Sequence, residues 1–116
     1  MENVKPIVLT DTETNEVYTL EFTRETVKFA QRNGFNIDDI DTKPFLAVPD
    51  LFYYAFRANH KFMTHEKTDK ILYDDLGGLP DGALERLAKL YYKPYESLLN
   101  SSENKERKNA KMTVEF

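Results

Sequence analysis

Two histidines are the first residues whose side-chain chemistry could serve a function. His60 and His65 lie five positions apart, and Glu66 and Asp69 follow them closely. Imidazole titrates near neutral pH and binds metals, so such a group could hold a metal ion or transfer protons. However, the spacing differs from the i, i+4 pair that presents two histidines to zinc on a helix, and Thr64 between them is a typical helix cap. We therefore expect no metal and no cofactor here.

Other residues with ligand or catalytic chemistry lack the neighbours that this chemistry requires. Asp38, Asp39 and Asp41 resemble the start of a calcium loop, but the loop's central glycine and terminal glutamate are absent. Ser97 has no glycine-framed nucleophile elbow, and the glycines between positions 77 and 82 lack the Lys-Ser or Lys-Thr pair of a phosphate-binding loop. The sequence thus predicts no catalytic residue, and we expect that the protein is not an enzyme.

The composition is that of an ordinary single domain. The 116 residues carry a formal net charge of -4 and are 41% hydrophobic, which argues against a nucleic-acid-binding surface. No apolar run approaches the roughly 20 residues that cross a bilayer, and the N-terminus lacks the pattern of a signal peptide. The absence of cysteine agrees with an intracellular protein. We expect a cytoplasmic protein that binds neither nucleic acid nor membranes.

Aromatic residues make up 13% of the chain and include two adjacent tyrosine pairs, Tyr53-Tyr54 and Tyr91-Tyr92. Neighbouring residues on a helix point about 100° apart, so one core is not expected to cover both members of a pair. An exposed tyrosine is favoured at protein interfaces, although a place in the core remains the other interpretation for each ring. Our candidate partner-binding residues are Tyr53, Phe56, Tyr91, Tyr92, Tyr95, Val114 and Phe116.

The N-terminal half is predicted to contain a β-hairpin and a capped helix. The stretches Val4–Thr10 and Val17–Phe22 are rich in β-branched and aromatic residues and flank a turn-forming segment. Thr23 is a suitable N-cap for a first helix that extends over Arg24–Asn33, and Gly34 can end that helix in the left-handed conformation.

Three further helices are predicted after an acidic connector. A central helix, apolar on most sides, is expected to start at Pro49 and to extend to about Asn59. A third is expected between its cap Thr64 and Leu76. The fourth has helical apolar spacing from Leu84 to Leu98, with a kink or break near Tyr91 caused by Pro94.

The C-terminal segment changes character at Asn100. Residues 100–110 contain no large apolar side chain, and the chain then ends in the alternating sequence MTVEF. This segment is either a solvated end or a tether whose final strand pairs with its own hairpin or with another chain. We predict one α+β domain over residues 1–99, an N-terminal β-hairpin packed on about four α-helices, and a flexible tail over 100–116.

Several local motifs follow one another in a familiar order. They are Asn33-Gly34-Phe35, the acidic connector Ile37–Ile40, and the stretch Val48–Phe56 with Asn59-His60 after it. This order resembles the tail assembly chaperones of long-tailed, siphovirus-type bacteriophages and prophages of Gram-positive bacteria. The similarity covers about Thr23–Leu99 and rests on hydrophobic patterns.

The resemblance implies a non-enzymatic protein that binds and solubilises the tape measure protein during tail morphogenesis in the cytoplasm of the bacterial host. The tail tube protein and further copies of the chain are additional candidate partners. A second interpretation stays open, in which the chain is a small acidic adaptor or inhibitor that binds one folded host protein through an aromatic surface.

Overall fold

The computed structural model describes residues 4–98 together with Met112, Thr113 and Glu115. The elements in chain order are β1 (Ile7–Thr10), β2 (Val17–Leu20), α1 (Arg24–Arg32), α2 (Asp39–Thr42), α3 (Pro44–Ala55), α4 (His65–Lys70), a π-helix (Ile71–Asp75), α5 (Ala83–Tyr92) and a 3-10 helix (Lys93–Ser97). The predicted α+β fold, a hairpin packed on helices, is confirmed. Within the described residues, no helix is long and apolar enough to cross a membrane.

The hairpin pairs β1 and β2 antiparallel, with Ile7 opposite Leu20 and Thr10 opposite Val17. Its turn is held by the carboxylate of Asp11, which accepts the backbone N–H groups of Glu13 at 2.8 Å and Thr14 at 3.2 Å. Because successive side chains of a strand point to opposite faces of the sheet, Ile7 and Leu20 both point towards the helices. Both strands are shorter than the sequence predicted, so the sheet consists of four residue pairs.

The cap and the end of α1 agree with the prediction. The Thr23 hydroxyl accepts the N–H of Thr26 at 3.2 Å, and the Thr26 hydroxyl accepts the N–H of Thr23 at 2.8 Å. At the other end Gly34 has a φ of 89°, and the N–H of Phe35 donates to the Ala30 carbonyl at 3.0 Å. The glycine turns the chain so that Phe35 returns to the core.

The predicted bounds of the central helix are wrong. α3 begins at Pro44 and contains Pro49 in its interior, and it ends at Ala55 instead of near Asn59. Pro44 supplies the N-terminal proline, and Ala47 in the first turn is buried, so packing favours a helical conformation before Pro49. Helix formation at Pro49 costs one backbone hydrogen bond, which burial of the surrounding helix offsets.

The helices after α3 depart from the regular form that the pattern predicted. Thr64 caps α4 by accepting the Lys67 N–H at 3.2 Å, as expected. However, the α-helix ends at Lys70, and a π-helix closed by the Leu76 N–H and the Ile71 carbonyl at 2.8 Å replaces its second half. The break expected near Pro94 is confirmed, because α5 ends at Tyr92 and continues as a 3-10 helix.

The connector before α3 also forms a short helix, α2, that the sequence did not predict. Asp39 is its first residue, and Ile37 and Ile40 pack against the core. Four residues form only one turn, so α2 depends on packing against α3 more than on its own propensity.

The core is built around α3, and the predicted central position of this helix is confirmed. α3 contacts α1, α2, α4 and α5. Leu51, Phe52 and Phe56 are at most 1% exposed. The Phe56 ring lies edge-on to Phe52, with centroids 5.1 Å apart, and to Tyr18 of β2 at 5.6 Å. The hairpin therefore packs on the C-terminal half of α3.

Backbone and side-chain hydrogen bonds also join β2 to the end of α3. The Glu21 N–H donates to the Ala55 carbonyl at 3.0 Å. The Thr19 N–H donates to Nε2 of His60 at 3.0 Å, and the Asn59 amide donates to the Thr19 carbonyl at 3.1 Å. These bonds satisfy the outward backbone groups of Thr19 and close this edge of the sheet.

Two phenylalanines of this region provide a matched test of the core. Phe56→Ala should lower the free energy of unfolding by about 3–5 kcal/mol, because Phe56 is 0% exposed and contacts two rings. Phe45→Ala should change it by no more than about 0.5 kcal/mol, because Phe45 is 88% exposed. Urea denaturation of both variants measures the difference. Equal decreases of the unfolding free energy in the two variants would contradict this description of the core.

Candidate functional site

The structure divides the Tyr91-Tyr92 pair between core and surface, whereas Tyr53 packs against the core beside the buried Tyr54. Tyr54 is 5% exposed and Tyr91 is 0% exposed, whereas Tyr92 is 46% exposed. Tyr53 is half-buried and stacks on His65, with ring centroids 3.6 Å apart. The prediction that one core would not cover both members of a pair is therefore confirmed for Tyr91-Tyr92, whereas Tyr53 and Tyr54 both contact the core.

Two of the candidate partner-binding residues lie in the core, so the expectation that they form part of the surface is wrong. Phe56 and Tyr91 are both 0% exposed. Phe56 continues the buried face of α3, and the Tyr91 ring contacts Phe22 at 5.3 Å and Phe35 at 5.5 Å. Sequence spacing identified a helical face but could not show which neighbours cover it. Val114 and Phe116, the two candidates in the tail, lie outside the described residues.

Tyr92 and Tyr95 border a cavity of about 440 Å³ between α1, the connector and the 3-10 helix. Their ring centroids are 5.5 Å apart. Gln31 of α1 positions the cluster, since its amide donates to the Tyr91 hydroxyl at 3.1 Å and to the Tyr95 hydroxyl at 2.8 Å. Asp38 lines the cavity from the connector. We call the surface formed by Asp38, Tyr92 and Tyr95 the tyrosine notch.

Burial favours the neutral form of the Tyr91 and Tyr92 hydroxyls. Burial raises the pKa of Tyr91 to about 12. Burial, and secondarily the negative charge of Asp38, also raises the pKa of Tyr92. Neutral phenols can donate and accept hydrogen bonds and present apolar rings, but they are poor bases at neutral pH. The notch is therefore suited to binding a partner.

A second surface lies at the start of α3, where the sequence analysis had placed no helix. Phe45 is 88% exposed and Leu46 is 67% exposed. Two adjacent apolar side chains of this size that are exposed to solvent form a small apolar patch, which we call the Phe45-Leu46 patch. The signal that could have located it is Pro44, a proline typical of a first helical position, directly before the pair.

The two histidines serve separate parts of the structure. His60 accepts the Thr19 N–H and belongs to the contact between β2 and α3. His65 stacks on Tyr53, and its Nε2 lies 3.6 Å from the carboxylate of Asp50. Partial burial raises the pKa of Asp50, against the opposing effect of His65. Within the described residues, no group of three or more potential ligands is arranged to hold a metal ion.

The buried hydroxyl of Tyr91 predicts a specific loss of stability in alkali. Its raised pKa means that the folded state holds the phenolic proton more tightly than the unfolded state does. This contribution is complete below the unfolded pKa of about 10 and is lost as the pH rises to about 12. Tyr91→Phe should therefore show a shallower fall of the unfolding free energy across this window, measured by denaturant titration.

Tyr73→Phe is the matched control, because Tyr73 is 53% exposed on the π-helix. In this variant the free energy of unfolding should fall as steeply with rising pH as it does in the unmodified chain. If Tyr91→Phe and the unmodified chain lose stability equally with rising pH, the buried hydroxyl does not favour the protonated form.

Comparison with known proteins identifies a family. A family model described as Domain of unknown function (DUF5055) matches residues 2–116. No curated protein and no solved structure matches the chain significantly. Since the family match covers nearly the whole sequence, the chain belongs to the DUF5055 family.

Proposed function

We propose that this protein is a non-enzymatic tail assembly chaperone of a long-tailed bacteriophage or prophage, which binds and solubilises the tape measure protein during tail morphogenesis. The observation that carries the proposal is the Phe45-Leu46 patch, two large apolar side chains in the first turn of α3 that are exposed to solvent. Burial of such side chains on a partner is favourable by about 1.5–3 kcal/mol each. The sequence resemblance to this class of chaperones supports the same role.

Further features of the chain suit the binding of an apolar helical partner. Phe62, in the loop after α3, is 94% exposed, so another aromatic ring is available for contact. The net charge of -4 would keep a complex soluble after the apolar groups of both partners are covered. In this proposal the protein acts in the cytoplasm of the bacterial host. The tail tube protein and further copies of the chain are additional partners.

Co-expression with the longest helical protein encoded just downstream tests the proposal. That protein should become soluble and should co-purify with many copies of the small chain. The double variant Phe45→Ser, Leu46→Ser should reduce the soluble yield several-fold because it removes the apolar patch. Its thermal midpoint should change little, since both side chains are exposed in the free chain.

The control for this experiment is Tyr92→Ala, which shortens an exposed aromatic side chain in the tyrosine notch instead. The chaperone proposal expects near-normal solubilisation with this variant. If the long protein stays insoluble with the unmodified chain, or if the double variant solubilises it equally well, the proposal is wrong.

The tyrosine notch favours a second candidate function, that of an acidic adaptor or inhibitor of one folded host protein. A concave site with two tyrosine rings and a carboxylate suits a single protruding side chain of a compact partner. In that case Tyr92→Ala should weaken a one-to-one complex at least about tenfold without loss of cooperative unfolding. Titration calorimetry with the captured partner measures both stoichiometry and affinity.

A further inference from the structure

The two edges of the hairpin differ in their hydrogen bonding. On β2, the outward N–H and C=O of Thr19 are bound by His60 and Asn59, and the N–H of Glu21 is bound by Ala55. This edge cannot accept another strand without losing these bonds. The opposite edge of the sheet belongs to β1.

The register shows which β1 groups face away from the sheet. Val8 lies directly opposite Thr19, and Thr10 lies opposite Val17. Because the polar groups of Thr19 point outward, the Val8–Thr19 pair is the non-hydrogen-bonded kind, and the alternation makes Thr10–Val17 the same. The N–H and C=O groups of Val8 and Thr10 therefore point outward too. In the part of the chain that the structure describes, none of these groups has a hydrogen-bond partner.

This open edge is short and bounded. Pro6 has no N–H to donate and limits the edge at the start of β1, while the turn at Asp11 limits it at the other end. The acceptor is thus the four-residue strand β1, Ile7–Thr10. Native proteins normally cover or block such an edge, because it can recruit any extended chain.

The sequence contains an alternating segment of similar length, Met112–Phe116. Its apolar residues are Met112, Val114 and Phe116, with Thr113 and Glu115 between them. Met112 is 89% exposed, and Met112, Thr113 and Glu115 belong to no strand, so these three residues are available for pairing. If this segment formed a third strand, its apolar residues would extend the face of the sheet on which Ile7 and Leu9 pack against the core.

The geometry allows this pairing within one molecule. Pro6, directly before β1, and Ser97 at the end of the 3-10 helix line the same cavity, of about 510 Å³, so this helix ends close to the start of β1. Residues 99–111 can span up to about 43 Å, at about 3.3 Å for each of the 13 residues. A tether of this length gives an effective concentration on the order of millimolar, which favours the chain's own edge over that of a second copy.

We propose that Met112–Phe116 docks in cis as a third strand on the edge of β1. The segment then covers the N–H and C=O groups of Val8 and Thr10. The proposal rests on the hydrogen bonding of the hairpin and does not depend on the chaperone function.

Residue-resolved amide exchange of the full chain by NMR tests the docking. The amides of Val8 and Thr10 should exchange at least about tenfold more slowly than in the variant Val114→Pro, because proline inside the tail strand removes a donor and disfavours pairing. Ala110→Pro, outside the strand, is the matched control and should retain protection. The Thr19 amide, bound to His60, is the internal reference and should not respond to either variant.

The result can overturn the proposal in three ways. Equal exchange of Val8 and Thr10 in the full chain and in Val114→Pro would show that the tail does not cover the edge. Protection lost equally in Ala110→Pro would show that the effect is not specific to the strand. Protection that falls on tenfold dilution would assign the edge to the tail of a second copy, because docking in cis does not depend on concentration.

Discussion

The contact between β2 and the C-terminal end of α3 is the constraint on which the rest of the structure depends. A two-stranded hairpin is marginal alone and gains stability only through packing. Here the Ala55 carbonyl, Asn59 and His60 bind the backbone of β2, while Phe56 packs against Tyr18. Hydrogen bonds fix the position of the hairpin on the helix, and the packing of Tyr18 on Phe56 adds to the stability of the contact.

This arrangement also determines which apolar side chains are covered. The C-terminal half of α3 is surrounded by the hairpin, α1, α4 and α5, so its aromatic residues form the core. In the first turn of α3, Ala47 is buried, whereas Phe45 and Leu46 remain exposed. A single apolar helix thus provides both the core of the domain and the proposed partner-binding patch. The patch costs little stability, because it lies outside the packed region.

The features that the sequence predicted well are those decided by local chemistry. Thr23 and Thr64 cap helices through their own hydroxyls, and Pro94 ends regular helix because it lacks a donor. These effects involve residues only a few positions apart. The division of Tyr91-Tyr92 between core and surface could be predicted because adjacent residues on a helix point about 100° apart.

The features that the sequence missed depend on tertiary neighbours. The helix before Pro49 forms because Ala47 is buried, which no local rule indicates. Phe56 and Tyr91 differ from Tyr92 only in which elements cover them. The role of His60 as an acceptor for β2 joins residues 41 positions apart, so its spacing from His65 carried no information.

We propose that the exposed start of α3, and not the tyrosine notch, receives the partner. NMR chemical-shift mapping of the labelled chain with a synthetic peptide from an apolar helix of the tape measure protein distinguishes the two surfaces. We expect the largest shifts at Phe45 and Leu46, with Tyr92 and Tyr95 nearly unchanged. Shifts concentrated at Tyr92 and Tyr95, with none at Phe45 and Leu46, would contradict it.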